Sequence, residues 1–379
     1  MRVLQIISSS GIYGAEKMLM GLVRSLAELE CQTVFGVFDN RHVEARPIFD
    51  SLTAEGLTLE PITCSGKIDF STVHKIRECI QKYDIDIVHT HGYKADIYGF
   101  AAALKRHTPI VATSHYWTRR TLALRFYAHC DQIILRNFDM VVAVSQDIAS
   151  EIVASGTRAE RVLTIDNGID LRPFHAPTPS LVSYRKGQGP IVGTVGRLVE
   201  QKGFDYLLHA IPAILSQYPD ATFLIVGEGN EHGRLEALAR ELNITENVVF
   251  VGQRSDMPNV YASFDVFVLP SIDEGMPIAL LEALATARPV VATRVGAVPK
   301  LVFDGQTGLL VEARDIPALQ GALLRLLGDT EKSKALGANG RQLVEQNYSA
   351  HVMAERYLKL YQRVKTNHAD GFSRIAVNA

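Results

Sequence analysis

Thirteen short runs of apolar, largely β-branched residues recur along the chain, at 2–8, 33–38, 57–62, 87–90, 110–113, 141–144 and 162–165, then at 191–195, 222–226, 248–251, 266–269, 290–292 and 309–311. Most are apolar throughout rather than alternating, as expected of strands covered by helices on both faces. Amphipathic stretches separate them, which is the pattern of parallel sheets with crossover helices. A chain of 379 residues is too long for one ordinary core. The reading is two doubly wound α/β domains, an N-terminal one over 1–172 and a C-terminal one over 191–350.

Between them, 173–190 carries Pro173, Pro177, Pro179, Gly187, Gly189 and Pro190, which break helices and mark a linker. Helical patterns follow the last strand, and the final one, 351–365, is a candidate to pack back on the first domain. Formal net charge is −2, from 39 basic and 41 acidic side chains, which leaves no electrostatic footprint for nucleic acid. The four cysteines are scattered, with no Cys-x-x-Cys pair, and read as buried thiols. The apolar start is too short for a signal peptide and reads as a first strand; no window approaches the ~18 apolar residues of a membrane span. The expected location is the cytoplasm, with contact at a membrane surface left open.

Three segments carry chemistry. Ser8-Ser9-Ser10-Gly11-Ile12-Tyr13-Gly14-Ala15-Glu16 joins a strand to an amphipathic helix through a glycine-containing turn. Free backbone N–H groups at such a turn suit a phosphate, although a tight turn alone also explains the glycines. The Gly-x-Gly-x-x-Gly spacing of a dinucleotide fingerprint is absent. The second segment, 193–203, again follows a strand and places Arg197 and Lys202 on the loop beyond its carboxyl end, where open α/β sheets bind ligands. Two fixed cations there suit a diphosphate, and would stabilise it further as charge builds on a leaving oxygen. Solvated surface charges are the alternative.

The third segment, 270–283, runs from a strand through Glu274, Gly275, Met276, Pro277 and Ile278 into a helix that carries Glu282 among apolar neighbours. A carboxylate in such a stretch wants a specific partner, and ribose or sugar hydroxyls are suitable donors. The bland alternatives are a helix-start acid for Glu274 and a buried ion pair for Glu282.

The phrase from Glu274 to Glu282, two glutamates with seven residues between, resembles the signature of glycosyltransferase family 4. The Gly-Arg-Leu segment with Lys202, and Tyr13-Gly14-Ala15-Glu16, resemble two further signatures. The resemblance continues in order through Val226-Gly227-Glu228-Gly229, Val251-Gly252 and Thr307-Gly308-Leu309. It implies a GT-B fold, two Rossmann-like domains facing a central cleft. It also implies retaining transfer from a nucleotide sugar without metal or other cofactor. By position, Arg197 and Lys202 would hold the donor diphosphate, Glu282 the ribose and Glu274 the hydroxyls of the transferred sugar. Gly14 would offer its backbone to the phosphate, and His115 would face the reacting sugar. Gly252, Gln253 and Arg254 would lie at the base. Tyr13 departs from the family, which usually has a second glycine there.

The form of the Glu274 segment, common among UDP-sugar enzymes of the family, favours a UDP-sugar donor. A saccharide or lipid-linked acceptor in surface polysaccharide or glycolipid assembly is the family-level expectation. His89 and His91, alternating in 88–92, could line an acceptor cleft, form a metal pair or be satisfied strand-end side chains. The mix of aromatic, aliphatic and arginine side chains over 116–138 suits either an anionic bilayer or a helix with a core face and a basic rim. The rival readings are an NAD oxidoreductase, a two-lobed sugar-binding protein, and an epimerase or phosphorylase on the same fold.

Overall fold

The computed structural model describes residues 1–7, 14–39, 57–64, 69–104, 107–114 and 122–369. The expected strands are present as β1 (Arg2–Ile7), β2 (Gln32–Asp39), β3 (Thr58–Thr63), β4 (Ile87–His91), β5 (Ile110–Ser114), β6 (Met140–Ala143) and β7 (Val162–Thr164). The second set is β8 (Ile191–Val195), β9 (Thr222–Val226), β10 (Val248–Gly252), β11 (Val266–Leu269), β12 (Val290–Thr293) and β13 (Leu309–Val311). The chain divides into two compact units, Met1–Gly168 with Ala350–Ala379, and Ile169–Ser349.

The first unit holds a parallel sheet in the order β3-β2-β1-β4-β5-β6-β7. Every residue of β1 after Arg2 is buried, as a strand with helices on both faces requires. Helix α1 (Gly14–Glu28) turns Met18, Leu19, Leu22, Val23 and Leu26 inward at helical spacing. The C-terminal helix, Ala350–Ala369, packs along α1 and buries Met353, Ala354, Tyr357, Leu360, Tyr361 and Val364.

The second unit holds a parallel sheet in the order β10-β9-β8-β11-β12-β13. One hydrophobic cluster lies on each face of it. The stretch read as a linker, 173–190, belongs to this unit. Phe174 and Leu181 enter its core, and Ser263 Oγ accepts from the backbone N–H groups of Ser180 and Leu181 at 3.0 and 2.9 Å. Prolines and glycines exclude a helix there, but they do not prevent two large apolar side chains from anchoring the segment. Each such burial is worth about 1.5–3 kcal/mol. The chain therefore passes between units at Gly168/Ile169 rather than at residue 172. No helix among the described residues is long and apolar enough to cross a membrane.

Candidate functional site

In the second sheet the strand order reverses between β8 and β11, so the chain leaves their carboxyl ends in opposite directions and opens a crevice there. β8 leads into a loop ending in a turn at Glu200–Lys202, and β11 leads through 270–277 into the helix Ile278–Ala285. The loops are tied together. Ile272 N–H donates to Gln201 O at 2.8 Å, and Ala297 N–H, after β12, donates to Gly275 O at 3.0 Å. Two glycines permit this approach. Gly203 has φ +61 and a Cβ there would lie 2.1 Å from Pro270 O, while Gly296 has φ +49 and a Cβ would lie 1.7 Å from Glu274 O.

This scaffold brings Lys202 and Glu274 together. Lys202 Nζ donates to Glu274 Oε1 at 2.6 Å, with the two side chains 19% and 8% exposed. Ser271, fully buried, donates from Oγ to the same oxygen at 2.7 Å. Arg197 is on the β8 loop, exposed, and has no ion-pair partner among the described residues. Glu282 lies within the helix Ile278–Ala285 and is buried, as its apolar neighbours require. Tyr261, from the helix Met257–Ala262, donates to Glu282 Oε2 at 2.8 Å. Burial and the adjacent carboxylate push the Tyr261 phenol well above its ordinary range, so it stays a donor. No local pattern in the sequence pointed to Tyr261.

The remaining donor-side positions divide. Gly275 contributes its carbonyl, Pro277 sits at the helix N-terminus, Ile278 is half-buried, and Met276 is buried in the core. Gly252 ends β10 with φ +77, and Gln253 follows it, exposed. Arg254 is engaged locally: its Nε and Nη2 donate to Asp256 Oδ1 and Oδ2 at 2.8 and 2.9 Å. That bidentate pair holds the Asp256 carboxyl below its usual range. Gly14 is the first residue of α1; the turn before it, residues 8–13, and His115 lie outside the described residues, as do residues 116–121 of the mixed aromatic and basic stretch.

In the first unit His89 and His91 are interior, 0% and 3% exposed, which removes them from the candidates for acceptor contact. They belong to a buried hydrogen-bond chain. Gln5 Oε1 accepts from His91 Nε2 at 2.9 Å, and Gln5 Nε2 donates to Tyr361 OH at 2.9 Å. The Tyr361 hydroxyl then donates to His89 Nδ1 at 2.6 Å, which leaves His89 Nε2–H to donate to Thr113 Oγ1 at 2.8 Å. Thr113 Oγ1 also meets Tyr357 OH at 2.9 Å. Of the readings left open for the two histidines, the satisfied strand end is the one realised. Among the described residues no three His, Cys, Asp or Glu side chains converge as metal ligands. Close by, Asp96 and Asp131 are both buried, and Thr90 donates to Asp96. Burial and the neighbouring Asp131 push the Asp96 carboxyl well above the carboxylate range.

Comparison with known proteins places this geometry in a family. The family model described as Glycosyltransferase Family 4 matches residues 12–172, and the one described as Glycosyl transferases group 1 matches residues 189–329. A GDP-mannose-dependent monoacylated α-(1-6)-phosphatidylinositol monomannoside mannosyltransferase of Corynebacterium glutamicum is 37% identical over 213 residues, 52% of this chain. The chain spans only 55% of that relative's length. A phosphatidyl-myo-inositol mannosyltransferase of Mycobacterium leprae is 32% identical over 81% of this chain and 82% of its own. Among solved structures, Anabaena HepE in complex with UDP-glucose superposes with a TM-score of 0.81 at 21% identity, over 96% of this chain and 99% of that one. Two Rossmann-like units built on parallel sheets are the GT-B architecture, and the chain belongs to glycosyltransferase family 4.

Proposed function

We propose that the protein transfers a hexosyl or N-acetylhexosaminyl group from a nucleoside diphosphate sugar to a hydroxyl of a saccharide or lipid-linked acceptor, with net retention at the anomeric carbon. The observation that carries the reading is the Lys202–Glu274 contact beside the reversal of strand order, with Arg197 on the same loop as Lys202. Arg197 and Lys202 hold the diphosphate. Their charge acts most strongly as the anomeric C–O bond breaks and negative charge collects on the departing phosphate oxygen. Glu274 accepts hydrogen bonds from the sugar hydroxyls, and Glu282 from the ribose. The new bond forms between the acceptor oxygen and the anomeric carbon on the face the diphosphate leaves, and the departing phosphate takes the acceptor's proton. The backbone at 252–254 borders the base. No step is assigned to a metal.

The Corynebacterium relative, named for GDP-mannose, supports that compound as the first donor to test. A UDP-sugar is the second, supported by the form of the 274–282 segment. The relatives' names likewise support a phosphatidylinositol-type acceptor. A thermal-shift panel of GDP-mannose, UDP-glucose, UDP-galactose and UDP-N-acetylglucosamine tests the donor, because a true ligand raises the melting temperature with its occupancy. Acceptor-dependent release of nucleoside diphosphate distinguishes transfer from epimerase, phosphorylase or binding-protein activity. An inverted anomer in the product's NMR spectrum would refute retention.

A further inference from the structure

We infer that Ser271 is a positioning residue for the transferred sugar: its hydroxyl, acting on the same oxygen as Lys202, turns the other oxygen of Glu274 toward the donor. The inference rests on the assignment of Glu274 to the sugar hydroxyls proposed above. Lys202 by itself would not fix the carboxylate. An ammonium on a four-carbon stem is close to a point charge and satisfies either oxygen. Ser271 is different. Its side chain is fully buried, and its own carbonyl accepts from Thr293 Oγ1 at 2.5 Å, so its Oγ has a defined origin. From there it reaches Glu274 Oε1 at 2.7 Å, the oxygen that Lys202 already contacts at 2.6 Å.

The backbone of the segment is held as well. Ile272 is bonded to Gln201, Gly275 to Ala297, and Gly296 packs against the Glu274 carbonyl. Glu274 Oε2 has no hydrogen-bond partner among the described residues, although the side chain is only 8% exposed. A carboxylate so nearly buried ordinarily satisfies both oxygens. With Oε1 occupied twice, the two lone-pair directions of Oε2 are those left for a pair of neighbouring sugar hydroxyls.

The test is calorimetric binding of GDP-mannose against GDP, and of UDP-glucose against UDP, to the wild type, Ser271→Ala, Glu274→Ala and the double variant. The difference within each pair isolates what the sugar adds. Ser271→Ala is expected to cost about tenfold of the sugar's share, the worth of one charge-assisted hydrogen bond, while affinity for the bare diphosphate moves less than about twofold. In the Glu274→Ala background, Ser271→Ala is expected to change nothing further, because no carboxylate remains to be oriented. Equal losses for sugar and bare nucleotide, an equal loss in both backgrounds, or no loss in the single variant would overturn the positioning role. A Glu274→Ala protein that keeps the sugar's share, or a wild type in which the sugar adds nothing, would instead overturn the assignment of Glu274 itself.

Discussion

Replacing Lys202 by Met separates its observed contact, as counter-ion to Glu274, from the role proposed for it, as cation for the diphosphate. The pair is 2.6 Å apart with side chains 19% and 8% exposed, between a surface pair and a buried one. Exposed pairs contribute about 0–1 kcal/mol, and breaking a buried pair costs about 3–5 kcal/mol. Residual solvent access at Lys202 and the remaining Ser271 donor put the stability loss at about 1–2 kcal/mol. In a unit of this size that lowers the melting temperature by about 2–8 °C. The catalytic loss should be larger, about 10²–10³ in turnover, the scale for removing one preorganised donor from developing charge. A second variant, Lys202→Met with Glu274→Gln, removes the unpaired charge. It should recover most of the melting temperature and none of the turnover. Scanning calorimetry reads the first quantity, and nucleoside diphosphate release from GDP-mannose or UDP-glucose the second. If turnover falls less than about fivefold, or recovers with stability in the double variant, Lys202 is only a counter-ion.

Tyr261→Phe should cost about 1–2 kcal/mol of stability and weaken nucleoside diphosphate binding several-fold, since it removes the donor that orients Glu282 Oε2; calorimetry showing loss of the sugar's share instead would contradict the proposed division between the two glutamates. Asp96 retains in the folded state a proton that the unfolded chain gives up above the ordinary carboxyl value of 3.8, so its contribution to stability falls as pH rises. Asp96→Asn should therefore gain on the wild type as pH is raised from 5 to 8, by at most about 1.4 kcal/mol per pH unit, and a pH-independent difference in melting temperature would contradict this. Tyr361→Phe removes the hydroxyl that meets Gln5 Nε2 and His89 Nδ1 in the interior and should cost about 1–3 kcal/mol in denaturant unfolding; a loss within error would show that the buried chain rearranges freely.

What could be read from the sequence was whatever is encoded locally. Uninterrupted β-branched runs specify buried parallel strands through nearest neighbours, so β1 to β13 and the loops beyond them were legible. Arg197, Lys202 and Glu274 stood out because a few residues around each show a strand ending and a turn beginning. Side-chain partners were not legible. Tyr261 meets Glu282 across 21 residues, and His89 meets Tyr361 across 272. No periodicity reports such pairings. The segment 173–190 failed for the converse reason: its prolines and glycines forbid regular structure, but the burial of Phe174 and Leu181 decides where it packs. Arg254 was expected at the base from its position in sequence, and Asp256, two residues on, takes both arms of its guanidinium.

Polar side chains on these sheets are separated by the bonding capacity they have left. In the first unit His89, Gln5 and Thr113 are met by hydroxyls from the returning C-terminal helix, Tyr361 and Tyr357, at 2.6–2.9 Å. Each ring nitrogen of His89 and both ends of the Gln5 amide have partners, so this chain fixes strand and helix positions and has little left for a ligand. In the second unit the same topological position is served differently. Glu274 has two donors on one oxygen and none among the described residues on the other, and Arg197 stands exposed without a counter-ion there. Lys202 donates one of its three protons to Glu274, which leaves two for a phosphate. Incomplete bonding held on a rigid frame is what a donor site requires, because a ligand then completes contacts without breaking any. By that criterion two histidines at a strand end were a weaker indicator of function than a lysine and a glutamate that only partly satisfy each other.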